Sequence, residues 1–387
     1  MIVGVMGAAL ISPLYAIYKS SWQLQASDVS LIYVIYMTGA LCSLLFLGRL
    51  PDRVGFMPVM KAGMILNLIG TLISLLAWET RGLIVGRFIV GVASSMLTTS
   101  SIMGLTKLSR PGQLHRAAML TGCLLAFGFG LGPLVGAIMG QWAPYPLMTT
   151  YIPILALGVV GLVVLIRLEM PAPAMSAGNS ALRAQDLLPK LTWPSRIDSM
   201  AFVLTCALPF LAYGVFGLFS AMAPLFLENL LPWHGPMVSG TSIAVILFAS
   251  AAIQIMAGRI PVHLCGFAGL LGLALSMASL MLNFWAGSAI VFAMSVLLTA
   301  LGHGLSNLAG MNMLNRLATE HNRSGLLSTY FVIGYVGCML PMMAMGWIAD
   351  RWGMRVAVYC FCSAVMVLGS WAAVLFLRHP RMRKAGR

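Results

Sequence analysis

Few side chains in this sequence can do chemistry, and those few stand out against apolar surroundings. Arg87 lies in Gly86-Arg87-Phe88-Ile89-Val90-Gly91, well inside an apolar run. A guanidinium facing hydrocarbon is costly, so it must face protein or water, where it can bind carbonyls or a charged partner. His303 is placed alike in Leu301-Gly302-His303-Gly304-Leu305-Ser306-Asn307, with Asn307 one turn further on the same face. An imidazole can load and release a proton near neutral pH, although a histidine merely bonded to a neighbouring helix explains the position as well. Gly302 and Gly304 are expected to leave room around the ring. Asp28 and Glu228 stand at the edges of apolar runs, as titrating groups that meet water or simply as solvated helix ends. Asp52 and Arg53 sit in a charged gap, Gly48-Arg49-Leu50-Pro51-Asp52-Arg53-Val54-Gly55. A carboxylate there can pair with an arginine or take N–H groups from a helix start. Gly128, Gly132, Gly136 and Gly140 repeat every fourth residue around Pro133 and form a smooth stripe on which a second helix can lie.

The elements that hold these residues must be membrane helices. The chain is 387 residues long, 60% hydrophobic and only 8% charged, far from the roughly 25% charge of a soluble domain. A bilayer leaves no water for unpaired backbone groups, so only helices or closed barrels can cross it. The apolar runs are continuous rather than alternating, which selects helices. They predict twelve spans: 1–18, 29–47, 60–78, 82–105, 116–140, 147–166, 201–227, 238–257, 264–284, 287–311, 326–348 and 355–377. The net charge of +14 follows from topology. One set of gaps holds Arg49, Arg53, Lys61, Lys107, Arg110, Arg116, Arg167, Arg183, Lys190, Arg196, Arg259, Arg316, Arg323 and the basic tail, whereas the other holds only Lys19, Arg81, Arg351 and Arg355. The positive-inside rule therefore places both termini in the cytoplasm, in a multi-pass protein of a bacterial inner membrane. The basic balance gives no reason to expect nucleic acid, and some contact with anionic lipid fits it. The first apolar run lacks a basic leader and does not read as a cleavable signal. The seven cysteines show no metal or disulfide spacing, so no metal and no cofactor is expected.

The chain reads as a duplication. Gly48-Arg49-Leu50-Pro51 returns 210 residues later as Gly258-Arg259-Ile260-Pro261. Pro13 pairs with Pro224 and Gly91 with Gly302 at an offset of 211, and Pro133 with Pro341 at 208. Proline inside a span leaves a carbonyl unpaired and bends the helix, so bends are expected in spans one, five, seven and eleven. The segment 168–196 is polar and rich in Pro, Ala, Ser and Gly, and reads as a linker with one short surface helix. The expected organisation is a six-helix bundle over 1–167, the linker, a second bundle over 197–377 and a basic tail over 378–387. Six spans per half leave the copies parallel.

These residues resemble the major facilitator superfamily over the whole chain. Gly48, Asp52, Arg53 and Gly55 match its loop signature Gly-x-Leu-x-Asp-Arg-x-Gly, with Pro51 at a place usually held by a small residue and Phe56-Met57 where further basic residues are common. The resemblance implies that Asp52 belongs to a cytoplasmic latch, one-sided here because Val262 stands at the matching place of the second copy. Arg87-x-x-x-Gly91 resembles the family's span-four motif, associated with proton coupling. Gly128, Gly132, Pro133 and Gly136 resemble the Gly-x-x-x-Gly-Pro-x-x-Gly signature of proton-driven exporters, departing at Ala137. Gly346-Trp347-Ile348-Ala349-Asp350-Arg351-Trp352-Gly353 repeats the loop signature on the opposite side and reads as a turn with interfacial tryptophans.

The reading is an all-α secondary transporter that works by alternating access, with no catalytic residues. No Gly-x-x-x-x-Gly-Lys-Ser/Thr phosphate loop is present to use ATP, and no His-Glu-x-x-His or nucleophile set suggests an intramembrane enzyme. Arg87 and His303 inside, with no clearly buried acid, make a neutral to positive interior that suits neutral or anionic organic molecules. Proton-coupled efflux of a small amphipathic compound leads, proton-coupled or facilitated uptake of an organic acid, sugar or other nutrient follows, and a non-transporting sensor is remote. The partners expected are a small solute, protons and lipid, with the chain acting as a monomer. Reporter fusions in successive gaps should switch sides at every span and place both termini on the arginine-rich side; an odd number of crossings would overturn the duplication.

Overall fold

The computed structural model describes residues 1–109, 114–168, 191–227, 235–319 and 322–383. Among these, twelve helices are long and apolar enough to cross a bilayer: Ile2–Ser21, Ala26–Leu47, Phe56–Leu76, Thr80–Leu108, Leu120–Trp142, Pro146–Arg167, Arg196–Phe226, Pro236–Arg259, Val262–Ala286, Ala289–Leu317, Arg323–Trp352 and Met354–Arg378. They are called spans one to twelve below. No strand occurs among the described residues. Most spans outrun the apolar stretches that announced them, because helices wind on into polar end residues. Span eleven shows this best: it continues through Asp350 and Arg351 to Trp352 before Gly353 turns the chain at φ 88°. The expected turn over 346–353 is therefore mostly helix, and only Gly353 makes the turn. Glu228 and the linker residues 169–190 lie outside the described residues.

Two compact units emerge from the packing. One holds Met1–Ile11 with the described residues of Ile32–Pro189, the other Ser12–Leu31 with those of Lys190–Arg387. The second unit thus takes in the end of span one and the beginning of span two. Within the first unit, span one packs on spans four and five, span three on spans four and six, and span two on span four. Within the second, span seven packs on spans ten and eleven, span nine on spans ten and twelve, and span eight on span ten. Every pairing in the first set recurs six spans later in the second. Matched internal packing on top of matched prolines makes two parallel six-helix repeats.

Proline and glycine set the local geometry. Span one is α-helical over Ile2–Ala9, tightens to a 3-10 turn over Ser12–Leu14 at Pro13, and resumes over Tyr15–Ser21. Span seven meets the equivalent Pro224 differently, with a widened π-type turn over Leu218–Met222 just before it. Pro133 and Pro341 lie inside helices that continue past them. The two copies of the Gly-Arg-x-Pro gap also diverge. In the first, Leu50–Val54 forms a short helix closed by Gly55 at φ 89°, a value that favours glycine. In the second, a single turn over Ala257–Arg259 leads through extended Ile260 and Pro261 straight into span nine.

The span-five stripe is a packing surface for span one. A Cβ on Gly128 would stand 3.1 Å from the Ile2 carbonyl oxygen, and one on Gly132 would stand 2.5 Å from that of Met6. Helices in lipid gain little from apolar burial against each other, so such close backbone approach carries much of their association. Gly132→Leu should therefore separate spans one and five and lower the melting temperature of the purified protein. Gly122→Ala in the same span, where a Cβ meets nothing within 4 Å, should leave it unchanged or slightly higher; equal melting of both variants would contradict this packing.

Candidate functional site

Arg87 is the largest fully enclosed side chain among the described residues, 2% exposed. Its Nη1 donates to the Gly7 carbonyl at 3.0 Å and its Nη2 to the Ala8 carbonyl at 2.6 Å. Those carbonyls belong to the last turn of the first helical segment of span one, where carbonyls run out of intrahelical partners. A cation there also faces the negative end of the helix dipole. The guanidinium carbon lies 4.6 Å from the centre of the Tyr36 ring in span two, a cation–π contact, and Tyr36 Oη donates to Ser94 Oγ at 3.2 Å. One side chain thus ties spans one, two and four together. Close backbones make this possible. A Cβ on Gly91 would collide with the Tyr36 carbonyl and stand 3.0 Å from the Ala40 nitrogen, so Gly91 does admit a neighbouring helix as expected.

Span three holds further buried polar atoms that the sequence reading missed. Asn67 is fully buried with neither amide atom bonded to any described group, and its Oδ1 lies 3.6 Å from where a Cβ on Gly7 would stand. Thr71 Oγ1 and Arg87 Nε are also buried without a partner among the described residues. The signal available was Asn67 itself, an amide in the middle of an apolar run.

His303 anchors a second node, in the second unit. Its Nδ1 is 2.8 Å from Ser250 Oγ in span eight, and Asn307 Nδ2 stands 3.2 Å from its Nε2 and 3.3 Å from its Nδ1. A neutral imidazole satisfies both partners when Nδ1 donates to the hydroxyl and Nε2 accepts from the amide. Gln254 Nε2 extends the chain, donating to Ser250 Oγ at 3.4 Å. Rings from span seven flank the imidazole, Phe216 at 5.7 Å and Tyr213 at 6.2 Å between centroids. Asn307, Gln254, Tyr213 and Phe216 are each partly exposed, whereas His303 and Ser250 are buried. His303 and Asn307 are therefore brought together as the sequence predicts, but the glycines serve another purpose. A Cβ on Gly304 would lie 2.7 Å from the Ser250 carbonyl, and one on Gly302 would lie 2.7 Å from the Leu273 nitrogen. They admit spans eight and nine rather than leaving space around the ring. Ser250, Gln254, Tyr213 and Phe216 come from other helices and carried no signal beyond their polarity or aromaticity.

The remaining candidates lie at helix ends. Asp52 is exposed in the first turn of the helix Leu50–Val54, with Arg53 following in the same helix. No hydrogen bond or ion pair reaches the Asp52 carboxylate among the described residues. Gly48 ends the widened turn of span two, and Gly55 closes the loop. Asp28 lies in the first turn of span two, where its carboxylate accepts the Gln25 N–H at 2.9 Å and so works as a local cap. Gly136 is buried on the same span as Gly128, Gly132 and Pro133. Every described carboxylate thus sits at a span end or in a gap: Asp28, Asp52, Glu79, Asp198 and Asp350. Among the described residues, the interiors of the spans contain none.

Twelve spans in two matched six-helix units, with a charged signature after span two, agree with what direct comparison finds. The model of the Major Facilitator Superfamily matches residues 1–264. The chain belongs to that superfamily. Its twelve candidate spans, within that family, make it a multi-pass membrane protein. It is 29% identical over 137 residues to the uridine/deoxyuridine transporter of Lactococcus lactis subsp. cremoris (strain MG1363), covering 35% of this chain and 28% of that protein. It is 21% identical over 169 residues to the riboflavin transporter RibZ of Clostridioides difficile (strain 630), covering 44% of this chain and 36% of that protein. The matched segments span about a third of these curated relatives. Among solved structures, a POT family transporter in complex with 5-aminolevulinic acid superposes with a TM-score of 0.79 at 13% identity, covering 99% of this chain and 94% of that one. The nucleoside transporter NupG superposes with a TM-score of 0.75 at 11% identity, covering 97% and 98%. At these identities the superpositions speak for the fold alone.

Arg87 offers a direct test. Arg87→Ala leaves two buried carbonyls without their charged donor, a loss on the order of 3 kcal/mol. It should lower the melting temperature measurably while the protein still inserts in the membrane. Arg87→Lys keeps the charge but cannot reach both carbonyls from one planar group, and should fall between the two. A melting curve for Arg87→Ala that overlays the wild type would show that these bonds carry no stability.

Proposed function

We propose that the protein is a secondary active transporter for a small, uncharged, hydrogen-bonding organic compound that carries a ring. The observation that supports this most is the His303–Ser250–Asn307–Gln254 node, polar yet free of carboxylates and flanked by Tyr213 and Phe216. Amide and hydroxyl groups pair with the amide-like edges of a neutral heterocycle, and the aromatic residues offer faces for stacking. A lipophilic cation would find no counter-charge there. The compounds for which the relatives are named, uridine, deoxyuridine and riboflavin, are neutral ring compounds of this chemical kind, which favours the same class for this chain.

Transport proceeds by alternating access of two bundles, 1–167 and 197–377, about a central pathway, with both termini in the cytoplasm of a bacterial cell and the chain working as a monomer. Protons supply the energy through His303. Protonation turns Nε2 from an acceptor into a donor, so the Asn307 amide must turn to present Oδ1 in place of Nδ2. That change in hydrogen bonding alters what the node offers a solute, and thereby couples proton to substrate. Arg87 holds the first bundle in register. Asp52 and Arg53, between Gly48 and Gly55, form the cytoplasmic latch, and Asp28 meets water at the opposite end.

Two directions have support. Export by proton antiport is favoured by the stripe Gly128, Gly132, Pro133 and Gly136, whose first two glycines lie against the backbone of span one. Uptake together with protons is favoured by the uncharged node, which suits a nutrient. Everted vesicles with an acidic interior separate them. Uridine or riboflavin added outside should acidify the medium under antiport, and alkalinisation would replace export by uptake. Asn307→Ala and Gln254→Ala should each weaken apparent affinity about tenfold, in line with the loss of one hydrogen bond. Unchanged affinity in both would remove the node from the solute pathway, and no flux of any neutral heterocycle would overturn the substrate class.

A further inference from the structure

Span eleven ends in Gly346-Trp347-Ile348-Ala349-Asp350-Arg351-Trp352-Gly353, the outline of the Gly48–Gly55 signature on the opposite side of the chain's topology. Within the second unit its carboxylate has a defined partner. Asp350 Oδ1 accepts the Ala26 N–H at 2.7 Å and Oδ2 accepts the Ser27 N–H at 3.1 Å. These are the opening amides of span two, which have no acceptor inside their own helix, and they form its positive dipole end. Asp28 occupies the Gln25 N–H beside them. Three consecutive amides at the start of span two are therefore held by carboxylates, one local and one from 324 residues away.

Gly346 makes the approach possible. One turn before Asp350, a Cβ there would collide with Ser30 Oγ and stand 2.8 Å from the Ser27 Cα. Arg351 turns onto the Trp347 ring, 4.2 Å from its centre, while Asp350 holds the amides. Asp350 itself is exposed, so water can take over its lone pairs and the two amides when the contact opens. The contact is thus strong in geometry and cheap to undo, unlike the buried Arg87 node. Span two consequently carries Asp52 just beyond its last turn and receives Asp350 at its first.

We propose that Asp350 is a gating residue for transport: its paired bonds to Ala26 and Ser27 are a releasable clasp that holds residues 12–31 in the second unit and closes the arginine-poor end of the pathway. The proposal rests on the alternating-access reading above, because a clasp at one end has a use only if that end must open. Breaking it frees the start of span two, and with it the end of span one. There Pro13, Ala16 and Ile17 share a narrow cleft with Pro224 and Pro236.

Hydrogen exchange read by mass spectrometry, on the full-length protein in lipid nanodiscs, tests this without a known solute. Asp350→Asn should speed exchange severalfold over 26–31 and also over 12–21 and 236–243, segments that do not bond Asp350. Asp350→Glu should restore most of the protection. Gly346→Leu should reproduce the opening with the carboxylate intact, so a poorly folded Asp350→Asn still leaves the wedge variant and the Glu variant to decide. Faster exchange confined to 26–31, or none, overturns the clasp. Normal solute flux with a flat exchange pattern would remove the clasp and leave the transport reading standing. Coordinated opening in a protein that moves no solute would do the reverse.

Discussion

A carbonyl released by a broken helix inside hydrocarbon must find another donor, because no water is there to supply one. Pro13 breaks span one, and the guanidinium of Arg87 takes up the carbonyls of Gly7 and Ala8 just before the break. Much of the first unit is arranged around that bond. Tyr36 lies on the guanidinium, Gly91 brings span two close enough to place Tyr36, and Gly128 and Gly132 bring span five against the same stretch of span one. An arginine in a membrane helix is conspicuous because of its charge, yet here its hydrogen bonds explain its position more completely than any titration would.

The second copy inherits the proline but not the remedy. Pro224 stands where Pro13 stands in the first copy, and the position equivalent to Arg87 is Leu298. Span seven accommodates its proline with a widened turn over Leu218–Met222, in which the Ala223 N–H reaches back to the Leu218 carbonyl. That arrangement keeps carbonyls paired within the helix and removes the need for an outside donor. Freed from that duty, span ten carries His303 and Asn307, where the first copy has no equivalent histidine. Duplicated halves with matching helix pairings have in this way separated their polar groups, a guanidinium held by carbonyls in one and an imidazole held by a hydroxyl and an amide in the other.

The fold was legible in the sequence because membrane helices are written locally. Twelve apolar runs and the offset prolines give the number and order of the spans and their two-fold repeat with no knowledge of contacts. The same local reading placed Asp350 in a turn, since a charged pair between tryptophans looks like an end. Helix continuation is decided by backbone hydrogen bonds rather than by polarity, and span eleven runs on to Trp352.

The polar nodes show where local reading stops. Arg87, His303 and Asn307 were visible as polar groups among apolar ones, and the spacing put His303 and Asn307 on one face. Ser250, Gln254, Tyr213 and Phe216 complete the His303 node from spans seven and eight, and none of them could be chosen from the other polar and aromatic residues of the spans, whereas Asn67 of span three did stand out as an amide among apolar residues. The glycines at 302 and 304 looked like free space and proved to be helix contacts. What this sequence determines alone is which residues must be helical and which polar groups must be hidden, because lipid enforces both at each position along the chain. Which hidden groups meet, and that Asp350 reaches across 324 residues to hold Ala26, is decided by the packing of whole helices, since a hydrogen bond depends on distances that no single segment sets.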